Sequence, residues 1–84
     1  LKYTIRLEKA AERQLEKLPP EILSRVSQQL INLEQNPRQS NIKKLSGIEG
    51  YRIRVGDYHI LFTIDDKSRE VRVYRVKHRR EVYQ

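Results

Sequence analysis

Eighty-four residues leave room for one compact domain with a small core and a modest stability margin. Eighteen Lys and Arg against 11 Asp and Glu give a net charge of +7, which calls for an acidic partner such as nucleic acid, an acidic protein segment or an anionic membrane surface. The absence of Cys excludes disulfides and a thiolate nucleophile, two His argue against a zinc site, and no apolar run approaches the ~20 residues that span a bilayer. The expectation is therefore a cytoplasmic protein with no metal, no cofactor and no membrane partner.

Lys2 to Leu7 alternates, with Tyr3, Ile5 and Leu7 on one side and Lys2, Thr4 and Arg6 on the other, which predicts a half-buried strand. From Glu8 the period becomes helical through Ala11, Leu15 and Leu18, until Pro19-Pro20 stops it. Pro20 suits the first turn of a second helix, whose stripe is Ile22, Leu23, Val26, Leu30 and Leu33; Asn36-Pro37 ends it. Arg38 to Gly50 is polar and reads as a loop carrying Lys43 and Lys44, with a turn around Ser46-Gly47.

Tyr51, Ile53 and Val55 then alternate with Arg52 and Arg54, Gly56-Asp57 follows, and Tyr58, Ile60, Phe62 and Ile64 alternate with His59, Leu61, Thr63 and Asp65. A Gly-X pair between alternating runs predicts a two-residue hairpin, because Gly supplies the positive φ such a turn needs. In that register Val55 faces Tyr58, Arg54 faces His59, Ile53 faces Ile60, Arg52 faces Leu61 and Tyr51 faces Phe62. One face is apolar and takes the helices; the other carries Arg52, Arg54 and His59. Asp66 to Arg69 turns again, Val71 to Val76 forms a third meander strand, and Lys77 to Gln84 is a tail. The predicted fold class is α+β over a single domain, 1–84. It has an antiparallel β-sheet of the N-terminal strand plus the C-terminal three-strand meander, with the N-terminal helical hairpin packed on one face.

Two Arg on one strand face repel each other unless an anion relieves them, so the hairpin is a candidate anion site. Cleavage of RNA by its own 2′-hydroxyl needs a base for that proton, positive charge on the pentavalent phosphate and an acid for the leaving 5′-oxygen. Arg52, Arg54 and Arg79 can supply charge and bidentate contacts, His59 can exchange a proton near neutral pH, and Tyr83 can stack on a base or serve as an unusual acid or base. Lys43 and Lys44 steer phosphate from a distance. The competing reading is a solvated outer face, with His78 and Arg79 belonging to a basic tail and Tyr83 a packing cap. No nucleotide-binding glycine loop, spaced carboxylate cluster or Ser or Cys triad offers another chemistry.

At these residues the sequence resembles the RelE/ParE superfamily of toxin–antitoxin toxins over nearly its whole length. The resemblance rests on the strand-helix-helix opening, Lys44-Leu45-Ser46-Gly47, the Tyr51–Tyr58 stretch and the closing His78-Arg79-Arg80-Glu81-Val82-Tyr83. It implies either a ribosome-dependent messenger-RNA endonuclease that inhibits translation or a ParE-like DNA gyrase inhibitor. Arg52 and Arg54 match the basic pair that RelE-type toxins set against the scissile phosphate. Arg79 resembles the transition-state arginine, with Arg80 a rival for that role, and Tyr83 matches the C-terminal base-stacking tyrosine. His59 stands where a basic residue, commonly arginine, is usual. Both Arg with Tyr83 favour the RNase branch. The resemblance also implies a cognate antitoxin whose acidic or amphipathic segment covers the basic surface, and operator DNA bound indirectly through that antitoxin.

Overall fold

A computed structural model describes residues 2–39, 41–45 and 50–82. In chain order the elements are β1 (Thr4–Leu7), α1 (Lys9–Glu16), α2 (Pro20–Gln35), β2 (Ile42–Lys44), β3 (Tyr51–Val55), β4 (Tyr58–Asp65), β5 (Glu70–His78) and α3 (Arg79–Val82). The helices fall where the periodicity places them. Pro20 opens α2, where a missing N–H costs nothing, and the Asn36 N–H closes the helix on Asn32 O at 3.1 Å before Pro37.

The sheet has five strands in the order β1-β5-β4-β3-β2. The expected tail instead extends β5 through His78 and forms α3, and two features of the strand pairing also differ from the sequence reading. Ile42–Lys44 is a strand paired antiparallel with β3 rather than part of a loop, and β1 pairs with β5 in parallel, Ile5 beside Val71 and Leu7 beside Val73. Alternation marks β1 as a strand without giving its partner or direction. The two helices carry the chain from β1 at one edge to β2 at the other, and the four-strand meander returns to lie alongside β1.

Ala11, Leu15 and Leu18 from the first helical segment and Val26 and Leu33 from α2 meet Ile53, Ile60, Phe62, Val71, Val73 and Val76 from the sheet to form the core. A β-bulge keeps β5 in phase with it. Leu61 lies opposite Arg75 and Phe62 opposite Val73, so Tyr74 is an extra residue, and Val73 and Val76 are both buried although three positions apart. Past the end of β1 the outer edge of β5 meets α1, where the Val76 N–H donates to Gln14 Oε1 at 2.7 Å.

At the opposite end of the sheet, Asp66 in the β4–β5 turn accepts two bonds from Arg38, each 2.9 Å, and one from the Tyr3 hydroxyl at 2.6 Å. These hold the Asp66 carboxyl down to about 2, the Arg38 bonds contributing most. A depressed carboxylate stabilises the fold above its unfolded value of 3.8 and loses that contribution as pH falls through about 2. Thermal midpoints of the wild type and Asp66→Asn are therefore expected to differ above this window and to converge below it. Parallel pH curves would count against the cluster.

Candidate nucleic-acid interface

The β3–β4 hairpin has the register that its turn predicts: Val55 opposite Tyr58, Arg54 opposite His59, Ile53 opposite Ile60, Arg52 opposite Leu61 and Tyr51 opposite Phe62. Gly56 has φ +59°, a value L side chains rarely adopt, and Gly56-Asp57 is the whole connection. Arg54 Nε donates to Gly56 O at 3.0 Å, which ties its guanidinium back over the turn.

Cross-strand partners share a face, so the pairing lays out the sheet surface away from the helices in rows. One row runs Arg54, His59, Lys77 across β3, β4 and β5; the next runs Lys43, Arg52, Leu61, Arg75 across β2 to β5. Arg75 and Lys77 are cations that the sequence reading left out of the site. With the strand ended at Val76 and no bulge, period two gives Arg75 the wrong parity and Lys77 none.

Charge compensation divides this face in two. At the β1 end, Glu70 is bonded by Arg6 and Arg72, each at 3.0 Å. At the hairpin end, none of the ion pairs among the described residues includes Lys43, Arg52, Arg54, Arg75 or Lys77. Five like charges on adjoining rows, Lys43 directly beside Arg52 and the others one alternate residue or two strands apart, raise the free energy of the empty face, and a polyanion lowers it. A merely solvated outer face does not require such segregation.

His59 lies on the expected face but is not exposed: it is 2% accessible. Arg54 and Lys77 flank it, and α3 packs back against β4 and β5. Desolvation first, and then the charges of Arg52, Arg54 and Arg79, push its pKa below the ordinary 6.5. The shift favours the uncharged imidazole, so His59 adds little charge to the face.

Arg79 begins α3 beside the hairpin turn. Its backbone N–H donates to Asp57 O at 2.6 Å, and its guanidinium lies 3.6 Å from Asp57 Oδ1. Arg80 is exposed, with its backbone N–H on His78 Nδ1 at 3.2 Å, while His78 itself meets the Tyr58 ring edge-on at 5.1 Å on the helix side. Lys43 and Lys44 are on strand β2 and point oppositely: Lys43 sits beside Arg52, whereas Lys44 sits beside core-packed Tyr51 and so leaves the cationic face. Ser46, Gly47 and Tyr83 lie outside the described residues. Among the described residues no group of three or more His, Cys, Asp or Glu is placed to hold a metal, and no helix is long and apolar enough to cross a membrane.

The family model for the ParE toxin of type II toxin–antitoxin system, parDE, matches residues 5–83. The chain belongs to the RelE/ParE family of toxins. Toxin RelG of Mycobacterium tuberculosis is 35% identical over 83 residues, spanning 96% of this chain and 95% of that protein. In the crystal structure of the toxin–antitoxin complex RelBE2 from the same organism, a chain 34% identical superposes with a TM-score of 0.81, covering 93% of this chain and 99% of the other. A chain of the archaeal RelE–RelB complex from Pyrococcus horikoshii OT3, 26% identical, gives 0.82 over 94% and 97%. The α+β fold is thus the RelE fold, and in this chain the cations that enter no ion pair among the described residues lie at the hairpin end of the sheet.

Proposed function

We propose that this toxin is a metal-independent endoribonuclease that cleaves messenger RNA on the ribosome, inhibits translation and is neutralised by a cognate antitoxin. The supporting observation is the row Arg54–His59–Lys77 next to Arg52, a set of uncompensated cations around an uncharged imidazole. Arg52, Arg54 and Arg79 hold the phosphate and stabilise the charge that grows on it as the 2′-oxygen attacks. The neutral His59 is the candidate acceptor for the 2′-hydroxyl proton, a role that requires Arg54 or Lys77 to move aside as RNA binds, because the imidazole is buried between them. Tyr83 stacks on the substrate base and is the candidate acid for the leaving 5′-oxygen. The products are a 2′,3′-cyclic phosphate and a free 5′-hydroxyl, with protons balanced between base and acid. Lys43 and Arg80 extend phosphate binding at the margins, while Lys44 contributes only long-range attraction.

The RelBE2 and RelE–RelB structures are complexes of toxin with antitoxin. By the same charge logic, an acidic antitoxin segment lies across this chain's cationic face, and operator DNA is reached only through that partner. The family model's description names ParE, which favours gyrase inhibition as a second reading. Purified toxin added to translating ribosomes and, separately, to a gyrase supercoiling reaction decides between them. Cut messenger with unaffected gyrase is the expected result; intact messenger with arrested gyrase overturns the proposal.

A further inference from the structure

We propose that Tyr74, with Leu61 and Leu45 around it, forms a nucleobase-stacking subsite on the open sheet face, beside the phosphate-binding row. The inference rests on the RNA-binding reading above and assigns a place for a base to residues that reading does not use.

Tyr74 is the bulge residue of β5, lying between Val73, which is opposite Phe62, and Arg75, which is opposite Leu61. Neither Tyr74 nor Leu61 packs against the core cluster, although both are half-buried. Leu45 follows Lys44 in β2's alternation and so returns to the face of Lys43; its N–H donates to Gly50 O at 3.0 Å. The point a Cβ on Gly50 would occupy lies 3.3 Å from the Tyr74 hydroxyl, 3.3 Å from Phe62 O and 3.4 Å from Leu45 Cδ1. Gly50 leads into β3, two strands from β5. Strand side chains ordinarily stand off the sheet; one reaching from β5 to the start of β3 runs along it, over β4. Gly50 keeps the space open, and its φ of +143° lies outside the range L side chains prefer.

The result is an aromatic side chain laid along the sheet beside the row that carries Arg75 on its own strand and Arg52 opposite Leu61. Burial raises the hydroxyl pKa against the pull of Arg75, consistent with a tucked hydroxyl end. Sheet-borne aromatics beside Arg or Lys are a recurring way to hold single-stranded RNA, the ring taking a base while the cations take its phosphates. An acidic protein segment would satisfy the cations but has no use for a flat aromatic surface.

The chain contains no Trp, so Tyr74→Trp introduces a single indole reporter. Its fluorescence is expected to be quenched by a short single-stranded RNA and unchanged by inorganic polyphosphate or polyglutamate. Tyr74→Leu is expected to bind the RNA about tenfold more weakly, while Tyr74→Phe stays within about twofold and polyphosphate binding is the same in all three. An unquenched indole, equal loss of RNA and polyphosphate binding in Tyr74→Leu, or quenching by polyglutamate as strong as by RNA would each overturn the subsite. If the Leu variant fails to fold, the Trp and Phe proteins still decide the matter. Quenching by RNA without messenger cleavage sinks the nuclease reading and leaves this inference standing; cleavage without quenching does the reverse.

Discussion

Arg54→Ala is expected to lower messenger cleavage on ribosomes by about a hundredfold or more, the usual loss when one preorganised charge donor is removed from a transition state. It is expected to do so without lowering the thermal midpoint. Arg54 is exposed, enters no ion pair among the described residues and donates from Nε to Gly56 O. Its removal also relieves repulsion from Arg52 and Lys77, so activity and stability should move independently. Arg54→Lys keeps the charge but loses the planar fork and should fall between Ala and wild type. The same change acts on His59. Arg54 is one of the charges that depress its pKa, so Arg54→Ala should move the imidazole back toward 6.5, visible by NMR titration. If the neutral form is the proton acceptor, as proposed, residual cleavage should lose its acid limb at a higher pH than the wild type does. Single-turnover cleavage within twofold of wild type would remove Arg54 from the site.

Phe62→Ala is expected to cost about 3–5 kcal/mol, the range for deleting a fully buried aromatic side chain. A domain of this length has roughly 4–13 kcal/mol in total, so the variant stands at the edge of folding. Phe62 is completely inaccessible and stacks on Tyr51 with centroids 5.8 Å apart and planes 19° apart. Arg38 in turn lies 5.7 Å from the centre of the Tyr51 ring, so the cavity would open under a linked series of contacts with limited room to collapse. Phe62→Leu should retain most of the stability. Urea unfolding at fixed pH measures both, and an Ala variant within 1 kcal/mol of wild type would contradict the packing described.

The hairpin was legible because one local signal controls it. Gly56-Asp57 fixes the turn, the turn fixes the register, and the register decides which side chains share a face. The same logic could not foresee the burial of His59, since alternation assigns a residue to a face without saying what folds over that face. β2 was invisible for another reason: Ile42, Lys43 and Lys44 are too few and too polar to show a period, and they become a strand only because β3 offers an open edge. The bulge at Tyr74 defeated the parity of β5, so Arg75 and Lys77 were missed as members of the cationic rows. The placement of Arg79 beside Asp57 joins positions 22 residues apart, which no local pattern encodes.

The bond from the Val76 N–H to Gln14 Oε1 has a consequence for solubility. β1 covers only Glu70 to Val73, leaving the remainder of β5 as an outer edge whose amide groups could otherwise template another copy of the chain. A helix side chain occupies the donor in the middle of that edge. The cationic sheet face is thus left to the outer surface while the flank of the sheet is denied to strand-by-strand self-association.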